Sequence, residues 1–551
     1  MIHSPSWWND LETDTVLQKW LANASFYAKI ALKDALQHPT DSTKTFRSSQ
    51  SLIQLWSQLP DEQWNQLNQS FQEIRQYEDS IQNHLFSSVS PIWNQHIFYS
   101  MPLLERLNSS VWAHQPWTLL TLYAQPASTF LIPILIIIIP LLFCTWKGIP
   151  FPWAFLRQQM MAFVSYAWGA DLFLYRNQYH WATLGFLLVK RWVSVGIYLY
   201  GIWSSLRHSI EIQGYATNIL NEFKNLREWF NKITNFVSLL PQADQYHQEM
   251  NEKQKWINYN FSLNYDYSHF WYPTRWLIPG RCWKDWNHWE KVRKSFEPVM
   301  TTIGKVLAMF HLARLVREQT SPIGFPTWNV SKRIYWKGGY HPGFLGEQPK
   351  YQSYQYRKNR RFWLIMGANA SGKTTFLKTA SWIHWMAQAW GIVPCKKANL
   401  QWIYHFWSWV RVPDATGRES LFEAEVRRAK EIMESLSQTG KETAWVWMDE
   451  VFGSTNARES TACAYATLKT CLEDYPNLYG GCTTHLHGLV KLRRMPEIHL
   501  MHFEMKREGE KWIPTYQYRS GGKAQELALE WVKQKGDMPQ RWIDVATNGC
   551  V

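Results

Sequence analysis

The octapeptide from Gly367 to Thr374, "GANASGKT", constrains this 551-residue chain more than any other feature. The apolar run Trp363-Leu364-Ile365-Met366 precedes it and reads as a short buried strand. A helical pattern begins at Lys373-Thr374-Thr375. Glycines at 367 and 372 let the backbone curl between strand and helix, so that its N–H groups face an anion. This is the layout of a phosphate-binding loop. In such a loop Lys373 reaches the β- and γ-phosphate oxygens and the Thr374 hydroxyl ligates Mg²⁺. Gly367, Ser371, Gly372, Lys373, Thr374 and Thr375 are therefore candidate ATP-binding residues.

A phosphate loop of this kind needs a partner strand that ends in an acid. "ETAWVWMDE" supplies one: the apolar run Ala444 to Met448, then Asp449 and Glu450. Asp449 is placed to hold Mg²⁺ through water, and Glu450 to polarise the attacking water. An acidic pair can also be an ordinary strand end, but the loop upstream favours the catalytic reading. Further on, "LYGGCTTHLHGL" carries a short run ending in Thr483-Thr484-His485. A histidine after a strand is commonly a surface or capped residue. After an Asp-Glu pair it is a candidate sensor of the γ-phosphate.

Charge is distributed unevenly. Residues 1–126 hold 7 basic and 11 acidic residues, residues 127–146 hold no charge, and residues 147–551 hold 51 basic and 33 acidic. The positive excess could meet nucleic acid, anionic lipid or the phosphates of ATP, and net charge alone does not choose. The clusters Arg357-Lys358, Arg360-Arg361 and Lys491-Leu492-Arg493-Arg494 could contact DNA phosphates or be solvated surface. The seven cysteines show no CxxC pair and no zinc spacing, which fits a reducing compartment. The opening "MIHSPSWWNDLETD" lacks the basic-then-apolar order of a signal peptide. The 35 tryptophans are an excess with no functional reading, and aromatic filling of cores accounts for them best.

The chain divides along its length into four expected regions. Residues 1–126 are acidic, rich in Gln, Ser and Asn, and helical in pattern. Residues 127–146 contain "STFLIPILIIIIPLLFCTW", whose 19 uncharged residues just suffice to span a bilayer. The alternative is a buried segment of a soluble core. Lys147, Arg157 and Arg176 follow the run, while the nearest basic residue before it is Arg106. The expected orientation places the C-terminal side, and the ATPase domain with it, in the cytoplasm. A second apolar stretch, 184–203, is split by Lys190-Arg191 and reads as an amphipathic helix rather than a second span. Residues 147–320 are helical. Within them Leu220, Phe223, Leu226, Phe230, Ile233 and Val237 form one apolar face. Pro322 and Pro326 break the pattern, and the ATPase domain is expected over 321–551.

The text around the motifs resembles the MutS family. "GANASGKTTFLK" resembles its version of the loop, with Asn369 at the family's asparagine position. "GGYHP", 338–342, resembles its "gRHP" element. "GRESLFEAEVRRAKEI" resembles its signature helix, "WMDEVFGSTNARES" its Walker B and D-loop, and the stretch from Glu497 to Gly536 its closing strands and helix. The resemblance implies a mixed fold: mostly α-helical N-terminal and middle regions, one transmembrane segment, and a C-terminal α/β phosphate-loop ATPase domain of ABC/MutS type. It implies that Ser420 acts on the γ-phosphate bound by the opposite subunit, that Glu450 and His485 are catalytic, and that His499 lies near the nucleotide base. It also implies a homodimer with composite ATP sites and DNA as a partner. Two departures stand out. Ser454 occupies a position where glycine is usual, and the Phe-x-Glu wedge that reads mismatches in the family has no counterpart, so the implied DNA role is either mismatch repair-related or the binding of another DNA structure. The uncharged run at 128–146 resembles a subset of the family joined to membrane spans. An ABC-type ATPase driving a membrane process is the alternative, disfavoured by the missing LSGGQ signature. A scaffold that binds ATP and tethers DNA to a membrane is a second.

Overall fold

The computed structural model describes residues 2–3, 7–39, 43–85, 181–260, 278–328, 334–347, 349–355, 360–368, 371–410, 420–509 and 511–521, with short pieces at 138–161 and 539–545. Two compact units emerge, and they cut across the linear division. The first holds Met1–Phe71, Ser238–Tyr246 and Met300–Val551, and the second Gln72–Val237 and His247–Val299. Most of the expected span at 128–146 lies outside the described residues; Ile138, Ile139 and 142–146 are helical.

Among the described residues, eleven strands build the first unit: β1 (Ile2–His3), β2 (Pro326–Trp328), β3 (Tyr335–Gly339), β4 (Gln352–Gln355), β5 (Phe362–Met366), β6 (Lys397–Leu400), β7 (His405–Trp409), β8 (Ala444–Asp449), β9 (Leu478–Thr484), β10 (Ile498–Glu508) and β11 (Lys511–Ser520). They form a seven-stranded sheet, β1-β7-β8-β9-β5-β10-β11, and a four-stranded sheet, β2-β6-β3-β4. Every pairing in the larger sheet is parallel except the β10–β11 hairpin. A parallel sheet is covered on both faces, so its strands read as continuous apolar runs rather than alternating ones. Accordingly every residue of β5 is fully buried, as are Trp445 to Met448 of β8.

The two faces differ in what fills them. Helices Leu421–Ser437 and Ala457–Asp474 cover one, packing Ile432, Leu436, Leu468 and Leu472 against Leu364, Met366, Val446 and Met448. Helix Lys373–Trp390 lies on the other, among Trp363, Trp382, Trp385 and Trp445. Eleven tryptophans are less than 2% exposed, so aromatic core filling absorbs much of the excess. β8 and β9 approach so closely at Gly480 that a Cβ there would lie 1.7 Å from the Val446 carbonyl oxygen, and its φ is +138°. Only glycine fits this position.

Ile2 and His3 join this sheet, and residues 7–37 pack beside it in the same unit. β1 adds in parallel to β7, its edge strand. Three short helices follow: α1 (Trp7–Asp10), α2 (Thr13–Trp20) and α3 (Phe26–Gln37). Trp7 is fully buried against Trp385 and Phe406. The indole N–H groups of Trp382 and Trp390 donate to the carbonyls of Leu11 and Leu32. The Ser408 hydroxyl of β7 donates to Asp10. Sequence patterning cannot foresee a two-residue strand, because it carries no period.

Among the described residues, Pro298–Glu318 is the one helical stretch long and apolar enough to cross a membrane, and 78% of it is buried within the protein. Phe310 packs between Trp64 and Phe71. Its surroundings make it a core helix. The described residues of the second unit are mostly helical. Leu226, Phe230, Ile233 and Val237, four of the six residues singled out by their spacing, are buried on one face of helix Trp181–Leu239. The side chains of Leu220 and Phe223 lie outside the described residues.

Candidate functional site

The site lies at the carboxyl ends of β5, β8 and β9, where parallel sheets open onto their ligands. β5 ends at Met366. Gly372 caps the following helix with φ +101°, and a Cβ on it would press on the Tyr516 ring at 2.9 Å. Asn369 lies outside the described residues. The Lys373 ammonium donates to the carbonyls of Gly367 (2.9 Å) and Ala368 (3.0 Å), so it bends back into the loop. Burial lowers its pKa, and the charges of Glu450 and Asp449 partly oppose that. The Ser371 hydroxyl is buried in the loop with no hydrogen-bond partner. An orphaned donor beside a desolvated ammonium is what an anion-binding cradle provides.

Thr374 and Asp449 meet. The Thr374 hydroxyl donates to the two Asp449 carboxylate oxygens at 2.9 and 3.2 Å. Thr483, paired with Asp449 across β8 and β9, donates its hydroxyl to the same carboxylate. Glu450 follows with φ +50°, a left-handed conformation costly for a non-glycine residue. Its amide is held by the Thr483 carbonyl at 3.1 Å. This turn aims the Glu450 carboxylate at His485, whose Nδ1 lies 3.9 Å away.

A cavity of about 720 Å³ opens over these groups. Ser371 to Thr375, Asp449 and Glu450 line it together with a second group, Tyr340, His341, Phe344, Glu347, Gln352 and Tyr516, the last lying against the loop at Gly372. Motif reading missed this second group, apart from its "GGYHP" element. The only local signal for Tyr516 is conformational: its φ is +55°, in the closing hairpin.

His499 does not line the cavity. It is buried on β10, its Nδ1 paired with the Tyr354 hydroxyl (2.7 Å) and its Nε2 with the Ser520 hydroxyl (2.8 Å). It sits opposite Trp363, three residues before the ligand end of the strand. Both of its ring nitrogens are thus engaged within the protein. Tyr516 is the aromatic side chain that the closing hairpin brings to the cavity.

Ser420 caps helix Leu421–Ser437 in a capping box with Glu423. It is exposed and is not part of its own chain's cavity. Within that helix Glu425 accepts from the amide of Gly453 (3.0 Å) and from the Ser454 hydroxyl, so the unusual serine ties the D-loop to the signature helix. Of the basic clusters, Arg357 and Lys358 lie outside the described residues. Arg361 is structural: it donates to the carbonyls of Leu472 and Leu478 and pairs with Glu497 at 3.5 Å. Lys491, Arg493 and Arg494 stand exposed on the 3-10 segment His487–Arg494.

The profile of MutS domain V matches residues 363–550. This part of the chain belongs to the MutS family. The match begins inside β5 and takes in the phosphate loop, Asp449, Glu450 and His485. Relatives include the DNA mismatch repair protein MutS of Thermotoga maritima, 28% identical over 270 residues, which are 47% of this chain and 32% of that protein. MutS of Zymomonas mobilis is 26% identical over 182 residues, 32% of this chain and 20% of that protein. The mouse DNA mismatch repair protein Msh3 is 26% identical over 199 residues, 35% of this chain and 17% of that protein. The chain thus spans no more than about a third of the length of these relatives.

Proposed function

We propose that this chain is a Mg²⁺-dependent ATPase that couples ATP binding and hydrolysis to the engagement of DNA. The observation that carries this reading is the contact between Thr374 and Asp449, made beside Lys373 at the mouth of the cavity. The buried, unpartnered Ser371 hydroxyl and the desolvated Lys373 ammonium fit a triphosphate. Thr374 and Asp449 are the donor set that would hold Mg²⁺, whose charge offsets that of the β- and γ-phosphates when bound. Lys373 swings from the loop carbonyls to the phosphate oxygens. Glu450 orients and polarises the attacking water. His485, within reach of Glu450, contacts the γ-phosphate end.

The reading extends to a dimer. Ser420 is exposed at a helix N-terminus and away from its own cavity, a position from which it serves the site of a second copy. DNA is the favoured polymer because MutS domain V recurs in DNA mismatch repair proteins and because Lys491, Arg493 and Arg494 present charge to phosphates. Mismatch reading is not part of the proposal.

Membrane attachment through 128–146, with the ATPase on the cytoplasmic side, completes it. It is supported by the uncharged run and by exposed Ile139, Leu142, Phe143 and Trp146. Nucleotide-binding and DNA-binding assays on detergent-extracted protein test the whole. Binding of ATP that Lys373→Ala abolishes, and salt-sensitive retention of DNA, are the expected results. ATP binding without retention of any DNA would favour an ABC-type role in a membrane process. ATP and DNA binding without turnover would favour a scaffold.

A further inference from the structure

We propose that the N-terminal arm, residues 7–37, holds one wall of the nucleotide cavity in place and thereby sets the affinity for the base end of the nucleotide. The inference rests on the ATP reading above. Phosphates placed on Lys373 and Thr374 leave the sugar and base to the rest of the cavity lining. That lining includes Tyr340, His341, Phe344, Glu347 and Gln352, and Tyr516 beside the loop, with the rings of Phe344 and Tyr516 exposed enough for stacking.

The segment between β3 and β4 that supplies this wall is a 3-10 turn, Pro342–Phe344, and a loop. The arm fixes it at two points. The indole N–H of Trp20 donates to the Pro342 carbonyl at 2.9 Å, in a buried contact. The Lys19 ammonium pairs with Glu347, itself a cavity residue. Trp20 is anchored in turn: its carbonyl is bonded to His311 Nε2 at 2.9 Å, and its ring packs on Trp390 at the end of the phosphate-loop helix. Glu12 pairs with Lys378 on the same helix, one turn beyond Thr374. A single short arm therefore touches both this wall and the phosphate-loop helix. Trp20 is a positioning residue, since it reaches the nucleotide only through Pro342.

The test compares binding of a non-hydrolysable ATP analogue with binding of inorganic tripolyphosphate, both with Mg²⁺, by calorimetry on the full chain. Tripolyphosphate uses the loop and not the wall. Trp20→Phe keeps an aromatic ring at this buried position and removes the N–H with the rest of the indole. It is expected to weaken the ATP analogue about five-fold, the worth of one buried hydrogen bond, and to leave tripolyphosphate unchanged. Lys19→Glu, at a partly exposed position, sets like charge against Glu347. It is expected to give the same pattern with a smaller shift, and it carries the test if Trp20→Phe does not fold. Ser408→Ala, which loosens the arm at Asp10 far from the wall, is expected to bind both ligands as wild type does. Variants indistinguishable from wild type, or equally weakened for both ligands, overturn the inference alone. A wild-type chain that binds neither ligand overturns the ATP reading on which it rests.

Discussion

The Thr374 hydroxyl donates to the Asp449 carboxylate at 2.9 Å, which joins the phosphate loop to the end of β8 across 75 residues of sequence. The same carboxylate accepts from Thr483. Asp449→Asn exchanges one acceptor oxygen for a donor and removes the charge that would hold Mg²⁺ in the proposed site. The expected result is a fall in turnover of about 10²-fold with a higher Mg²⁺ requirement. Hydrolysis rates across a Mg²⁺ titration check it. An unchanged half-saturating concentration would argue against the assignment.

Glu425 is nearly buried and holds the D-loop through Gly453 and Ser454. Ser454→Gly restores the residue that the family usually carries and removes one of these two bonds. A loss of about 1 kcal/mol of stability is expected, and Glu425→Ala should cost more because it orphans both donors. Urea unfolding curves of the two variants distinguish this order from its reverse.

Gly480 has no room for a side chain, because a Cβ would overlap the Val446 carbonyl. Gly480→Ala must force β8 and β9 apart beneath Asp449. A loss of more than about 3 kcal/mol is expected, together with reduced nucleotide binding. Thermal melting with and without ATP measures both effects. A variant as stable as wild type would contradict the tight register of β8 and β9.

His384 is fully buried on the phosphate-loop helix and packs on Trp445 at 4.3 Å. Burial pushes its pKa down to about 4, although its bond to the Ala380 carbonyl opposes the shift. His341, in the cavity wall, is lowered to about 4 by burial and by the charge of Lys378. A histidine whose folded pKa lies below its unfolded value makes the protein less stable as pH falls. Between pH 6.5 and about 4 the unfolded chain takes up a proton that the folded one excludes. His384 alone should therefore lose about 2 kcal/mol of stability between pH 7 and pH 5. Denaturant midpoints across this range in wild type and His384→Phe measure that share. An equal pH slope in both would refute it.

The phosphate loop and its partner strand were legible because both signals are local. An apolar run bounded by glycine, or ended by acids, identifies a buried strand and its ligand end in one reading. His499 rests on the family resemblance alone, and its register is not legible along the chain. It lies level with Trp363 inside the sheet, not with Met366 at the open end. Tyr516 was missed because its reach into the cavity depends on a left-handed backbone in a hairpin, which no periodicity encodes. The arm was missed because β1 is only two residues long and its helices hold few turns. Its attachment is written in tryptophan N–H groups that find carbonyls up to 371 residues away. Such contacts are tertiary and leave no pattern along the chain.

The most direct test of the ATPase reading is steady-state ATP hydrolysis by the purified full chain, wild type against Glu450→Gln, with ATP binding measured on the same samples. The account predicts Mg²⁺-dependent turnover in wild type, and a variant that still binds ATP but turns it over at least about 10²-fold more slowly. Equal turnover in the two proteins, or failure of wild type to bind ATP, would contradict it.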